Sequence, residues 1–123
     1  MTDFKYLGTD QEMEEREFDT FPSPRNKLVR YVTKELTSLC PVTGHPDFNT
    51  LTIEYEPDEL ALESKSVKLY VESFRTVAAF CETLAEQIAN DVFTAIEPHW
   101  VEVKVEQQIR GGLQLTAVSR LEK

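Results

Sequence analysis

Two periods of apolar spacing divide the chain. Leu28 to Leu39 is rich in Val, Tyr, Thr and Leu and predicts a first strand, bulged around Lys34. Leu51-Thr52-Ile53-Glu54-Tyr55 alternates apolar and polar and predicts a second strand with one wet face, ended by Pro57-Asp58. Between them, two prolines and a glycine in Cys40-Pro41-Val42-Thr43-Gly44-His45-Pro46-Asp47 predict a loop. From Ser64 the spacing becomes helical. Val67, Leu69, Tyr70 and Phe74, interleaved with Lys65, Lys68 and Glu72, predict a short helix. Val77, Phe80, Cys81, Leu84, Ile88, Val92, Ala95 and Ile96 predict a longer one over Thr76 to Ile96, which Glu97-Pro98 stops. Val101, Val103 and Val105 then alternate with Glu102, Lys104 and Glu106 as a third strand. Arg110-Gly111-Gly112 makes a turn, and Leu113, Leu115 and Ala117 alternate into a fourth strand.

The order β-β-α-α-β-β is α+β logic: two hairpins form an antiparallel sheet with the two helices on one face. Such a sheet exposes two edges, and open edges invite ring-like oligomerisation. Residues 1–26 carry no periodicity. Glu12, Glu14, Glu15, Glu17 and Asp19 are followed by Phe-Pro-Ser-Pro-Arg, which predicts a poorly ordered or extended arm ahead of a single domain over 27–123.

Composition narrows the partners. At 123 residues the chain is one domain by length, too short for a dinucleotide-binding domain plus a substrate domain. Its 13 Lys+Arg against 22 Asp+Glu give a net charge of −9, which argues against a nucleic-acid backbone or an anionic membrane surface as partner. No apolar run approaches the roughly 18 residues of a membrane span, and the acidic N-terminus does not read as a signal peptide. A cytoplasmic protein is the expectation. Two cysteines, Cys40 and Cys81, predict free thiols in a reducing compartment. His45 and His99 have no ligand spacing to either, so no metal site is expected.

Four places could carry chemistry. Cys40 lies at a strand end in a stiff loop, seven residues before Asp47. There it reads as a nucleophile with a carboxylate to move its proton, or as a small buried hydrophobe. Lys65 and Lys68 share a helical face and offer a local phosphate site or an ordinary solvated surface. Arg110-Gly111-Gly112 offers a guanidinium and bare N–H groups, or only a hairpin turn. Glu82 faces solvent from its helix, or accepts two N–H bonds from a purine edge.

Taken together and in this order, Thr-Ser-Leu-Cys-Pro-Val-Thr-Gly-His-Pro-Asp-Phe, Leu-Glu-Ser-Lys-Ser-Val-Lys-Leu-Tyr-Val-Glu-Ser-Phe-Arg, Phe-Cys-Glu and Arg-Gly-Gly resemble the nitrile reductases of queuosine biosynthesis, in their short single-module form. The likeness runs from about Thr37 to Thr116. Glu63-Ser64-Lys65-Ser66-x-Lys68-Leu69-Tyr70 is the string that separates these reductases from tunnelling-fold relatives such as GTP cyclohydrolase I. The resemblance implies a tunnelling fold (T-fold) whose subunit sheets join into ring barrels, two stacked pentamers, with sites at subunit interfaces. It implies that Cys40 forms a covalent thioimide with the nitrile of 7-cyano-7-deazaguanine (preQ0) and that Asp47 is the proton donor. Leu62, Glu63 and Ser64 match a substrate-contacting stretch, and Glu82 the carboxylate that anchors the deazaguanine ring. Ser64, Lys65 and Lys68, with Arg110 and Gly111, match contacts to NADPH.

The chain departs from the family where His-Glu is replaced by Cys81-Glu82, Asn-His-Gly by Thr76-Val77-Ala78, and a proline by Ile109. A thiol, a weak donor and acceptor, then stands at the substrate-pocket wall in place of an imidazole. The implied reaction takes the nitrile to a primary amine, a four-electron change that consumes two NADPH and needs no metal. Two other readings use the same residues. One is a relative that forms an amidine on preQ0 already in nucleic acid, without NADPH; such relatives lack the Glu63–Tyr70 string. The other is a purine-binding assembly subunit without activity, against which Cys40 and Asp47 both stand.

Overall fold

A computed structural model of the chain describes residues 17–123. Four main strands, β2 (Val29–Leu39), β3 (Pro46–Glu56), β5 (Trp100–Gln107) and β6 (Thr116–Glu122), form one antiparallel sheet in the order β2-β3-β5-β6. Helices α1 (Ser64–Glu72) and α2 (Cys81–Ile96) connect the two hairpins. Two three-residue strands, β1 (Thr20–Pro22) and β4 (Leu60–Leu62), pair with each other as a separate antiparallel ribbon.

Alternation sets the layers. Leu51, Ile53 and Tyr55 of β3 and Val101, Val103 and Val105 of β5 point inward and are fully buried. They pack with Leu84, Ala85, Ile88, Ala89 and Val92 of α2 in one core. The register Leu51↔Val105, Ile53↔Val103, Tyr55↔Val101 stacks these side chains across the ladder. The opposite face carries Thr52, Glu54, Glu102, Lys104 and Glu106 and stays partly wet, as one-sided burial requires. The bulge expected near Lys34 is present as a register shift between Thr33 and Leu36. Strands β2 and β6 are the sheet's edges, each with no second strand on its outer side among the described residues.

Four boundaries differ from the sequence pattern. The loop after β2 is shorter than expected, because Leu39↔Pro46 and Ser38↔Asp47 continue the ladder; proline is tolerated as the first residue of a strand. Helix α2 begins at Cys81 rather than Thr76. The Leu39 N–H donates to the Val77 carbonyl at 2.8 Å and the Ala79 N–H to the Leu39 carbonyl at 3.1 Å, so this segment extends β2's pairing. There Val77 and Ala79 are buried while Ala78 and Phe80 are exposed, a period of two that the helix-like spacing of Val77, Phe80 and Cys81 hides. Strand β6 begins at Thr116, leaving Leu113 and Leu115 in the connecting loop. Of the predicted arm, residues 1–16 lie outside the described residues, and Thr20–Pro22 is the strand β1 that the sequence pattern did not predict.

Candidate active site

Cys40 follows β2 directly, and its loop closes on itself. The Cys40 N–H donates to the His45 carbonyl and the Gly44 N–H to the Cys40 carbonyl, both at 2.8 Å. Gly44 takes φ +74°, a left-handed conformation that glycine adopts without a Cβ clash. This closure turns the Thr43 hydroxyl and the Thr43 and Val42 N–H groups onto the sulfur. In that order they hold the Cys40 thiol below its ordinary range, against slight desolvation and the charge of Asp47. Cys40 is half-buried. Its thiolate therefore has donors waiting and a path to a reactant, which is what a nucleophilic cysteine needs.

Asp47 is placed by the ladder. The ladder ends on Ser38↔Asp47 and Leu39↔Pro46, and Cys40 follows directly with its N–H on the His45 carbonyl, so Asp47 sits diagonally from Cys40, near enough for its charge to act on the sulfur. Asp47 is only 4% exposed. Arg110 covers it, with Nη1 donating to Oδ1. The loop after β5 is stapled to β3 beside Asp47, because the Gln108 N–H donates to the Phe48 carbonyl at 2.8 Å. Arg110 and Leu113 exchange N–H···O=C bonds at 3.0 Å, and Gly111 (φ +59°) and Gly112 (φ +80°) make the reversal. Cys81 begins α2 at this same end. It is buried, its Sγ donates to the Val105 carbonyl at 3.4 Å, and burial first, then Glu82, pushes its thiol up. Glu82, next along, is exposed in the first turn of α2.

The other predicted contacts lie elsewhere. Leu62 is held at the far end of the sheet, where its N–H donates to the Tyr55 hydroxyl at 3.0 Å and its carbonyl accepts from the Tyr31 hydroxyl at 3.1 Å. Glu63 caps α1, its carboxylate accepting from the Lys65 N–H at 2.8 Å and the Ser66 N–H at 2.9 Å; those two bonds hold its pKa below the usual range. Ser64, Lys65 and Lys68 are exposed on α1. A cleft of about 200 Å³ opens between α1 and β2, lined by Tyr31, Ile53, Val67 and Val71 together with Ser64 and Lys68. From Asp47 to Tyr55 is eight residues of β3, roughly 27 Å at the rise of an antiparallel strand. One chain thus brings Cys40, Asp47, Arg110, Gly111, Cys81 and Glu82 to one end of the sheet. It keeps Leu62, Glu63, Ser64 and Lys65 towards the other, with Lys68 further along α1 in the cleft that also takes in Thr33, Glu35 and Leu51.

Three features of the Cys40 end were not anticipated from the sequence: the Arg110–Asp47 pair and the buried side chains of Ser38 and Asn49 on either side of Asp47. Ser38 Oγ and Asn49 Oδ1 have no hydrogen-bond partner among the described residues. The signal was present in the register: the inward run Leu51, Ile53, Tyr55, extended backwards by twos, reaches Asn49 and Asp47. Among the described residues no group of three or more His, Cys, Asp or Glu side chains could hold a metal, and no helix is long and apolar enough to cross a membrane.

A β-β-α-α-β-β sheet with both helices on one face defines a T-fold protein, and this one sets a half-buried cysteine near a buried aspartate at one end of that sheet. The chain belongs to the QueF-like protein family, whose family model matches residues 46–123. It is 40% identical over 111 residues to the NADPH-dependent 7-cyano-7-deazaguanine reductase of Alkalilimnicola ehrlichii, covering 88% of this chain and 86% of that protein. It is 44% identical over 108 residues to the protein of the same name from Zymomonas mobilis, covering 85% of this chain and 74% of that one. Among solved structures it is similar to the archaeosine synthase QueF-Like in the apo form, with a TM-score of 0.73 and 28% identity over 77% of this chain and 93% of that one.

Proposed function

We propose that this chain is a short, single-module nitrile reductase that converts 7-cyano-7-deazaguanine to its 7-aminomethyl form with NADPH. The observation that carries this reading is the pairing of Cys40, its sulfur held by Thr43 and Val42, with Asp47 diagonally across the ladder. The names and roughly 40% identity of its relatives support the substrate and the cofactor.

The nitrile carbon is electrophilic. Cys40 adds to it, Asp47 passes a proton to the nitrogen, and a thioimide results; reduction of that C=N group, release of the thiol and a second reduction give the amine. Glu82 accepts two N–H bonds from the deazaguanine edge, and Cys81 lies behind it in the wall. NADPH supplies hydride. The donor set suits it: Ser64, Lys65 and Lys68 expose two ammonium groups on α1, Arg110 adds a guanidinium and Gly111 a backbone N–H, the partners that phosphates select in an otherwise acidic chain.

Because Leu62, with Glu63 and Lys65 next to it, sits at the opposite end of the sheet from Cys40 and Asp47, the site is assembled between subunits. Leu62, Glu63, Ser64, Lys65 and Lys68 of one copy meet Cys40 and Asp47 of another. Pairing of edge β2 with edge β6 of a neighbour closes the sheets into a ring, two stacked pentamers in all, working in the cytoplasm on free substrate rather than on nucleic acid.

The test is stoichiometry. With 7-cyano-7-deazaguanine as substrate, two NADPH are oxidised per amine formed. Product that forms without NADPH loss but depends on an amine donor assigns the chain to the amidine-forming reaction instead.

A further inference from the structure

The Arg110 guanidinium, a candidate cofactor contact, lies on Asp47. Asp47 is 5% exposed at the side chain and Arg110 47%, so the arginine is a half-wet cover on a dry carboxylate. Among the described residues, Arg110 is the cation that pairs with Asp47. The arrangement is built: Gln108 staples the loop to β3, and the Arg110–Leu113 bonds with two left-handed glycines fix where the arginine starts. A buried carboxylate without a cation is costly and turns or neutralises to escape that cost. The same carboxylate is the charged group of β3 that faces the Cys40 sulfur.

On the reading that Cys40 adds to a nitrile, we propose that Arg110 is a positioning residue for Asp47. It holds the carboxylate aimed along the ladder, so that Asp47 takes the thiol proton and delivers it to the nitrile nitrogen. The step balances within the site. The S–H bond breaks and its proton passes to Asp47. The sulfur pair forms the S–C bond while one C≡N π pair moves to nitrogen. Nitrogen takes the proton back from Asp47, which ends as the carboxylate it began as. No oxidant, reductant or cofactor enters, so Arg110 acts before any hydride is transferred.

Adduct formation in the absence of NADPH separates this role from cofactor binding. Full-length wild type, Arg110→Gln and Arg110→Lys are mixed with 7-cyano-7-deazaguanine alone, and the Cys40 adduct is timed by intact-protein mass spectrometry; KM for NADPH is measured separately. Loss of a charge-assisted contact to a buried carboxylate slows the Gln variant about tenfold or more, and Lys, which restores the charge without the fork, recovers part of the rate. Because Gln can unsettle the loop, circular dichroism and the Lys variant distinguish a lost fold from a lost charge: a folded Lys variant as slow as Gln overturns the role of charge. An unchanged adduct rate in folded Arg110→Gln with a raised KM for NADPH makes Arg110 a cofactor contact only. A wild type that forms no adduct at all overturns the nitrile reading itself.

Discussion

The Cys81 thiol donates to the Val105 carbonyl of β5 at 3.4 Å, from a position only 3% exposed, while Cys40 stands half-exposed at the same end of the sheet with its sulfur among the donors of its own loop. Two cysteines close in the fold are thus driven in opposite directions: burial raises one, hydrogen bonds lower the other. Alkylation with iodoacetamide near neutral pH is expected to modify Cys40 first and to reach Cys81 only when the protein is unfolded. Peptide mass spectrometry over a pH series reads both. The Cys40 rate should level off at lower pH than that of an ordinary thiol, because its thiolate is fully formed sooner. Earlier modification of Cys81 in the folded protein refutes the assignment.

Thr43 supplies the largest of the contacts that lower Cys40, through its hydroxyl. Thr43→Val keeps the branched shape and removes that donor. The thiolate fraction then falls at any pH below the thiol's new, higher pKa, so alkylation and adduct formation slow several-fold near pH 7 and converge with wild type at high pH. Thr43→Ser restores the hydroxyl and should restore the rate. A uniform loss at every pH in Thr43→Val points instead to a collapsed loop, since Thr43 Oγ1 also accepts from the His45 N–H at 3.2 Å.

Glu63 tests whether its string is partly architecture. Its carboxylate closes the N-terminus of α1 on the Lys65 and Ser66 N–H groups, and the Ser66 Oγ in turn accepts from the Asp19 N–H at 2.9 Å. Glu63→Ala should lower the melting temperature by a few degrees near pH 7, whatever it does to substrate binding. Glu63's folded pKa is depressed, so its contribution is complete above the ordinary glutamate range of about 4.3 and fades as pH falls through the lower folded value. The gap between variant and wild type therefore closes on acidification. Thermal melts at several pH values measure it, and a gap that stays constant into acid denies the cap.

How much of this could be read from residues alone depends on the reach of each signal. Val101, Val103 and Val105 alternate over a whole strand, and Leu84 to Val92 repeat at helical spacing, so β5 and the body of α2 were legible. Strands β1 and β4 were not: three residues cannot display a period, and their stability comes from pairing 40 positions apart, Phe21 against Ala61. The start of α2 is hidden because the backbone of Val77 and Ala79 pairs with Leu39, a contact no local window contains. Glutamate is not among the side chains that usually cap a helix, so Glu63 did not announce that use. Cys40 and Asp47 are legible together because only a short, stiff loop and the first residue of β3 separate them. Arg110 was found as a lone turn residue, and only the fold, across 63 positions, sets it on Asp47.

The separation of the two residue groups yields the sharpest expectation. Cys40 lies at one end of β3, and Lys65 opens α1 beside the Tyr31 and Tyr55 hydroxyls that hold Leu62 at the other. If one site draws on both groups, no single chain can fill it, and each site takes its thiol from one subunit and its α1 cations from the next. Cys40→Ala and Lys65→Ala, each pure, are then inactive or strongly impaired. Co-expressed at equal amounts with distinguishable tags and purified through both, they should regain activity, because an interface that joins the intact thiol of a Lys65→Ala subunit to the intact lysine of a Cys40→Ala subunit is whole. With random placement around a ring, about a quarter of the interfaces meet that condition, so the mixture should approach a quarter of the wild-type rate. Were both groups used within one chain, every subunit would carry one defect and mixing would restore nothing. The rate of the doubly tagged mixture relative to each pure variant decides between the two arrangements.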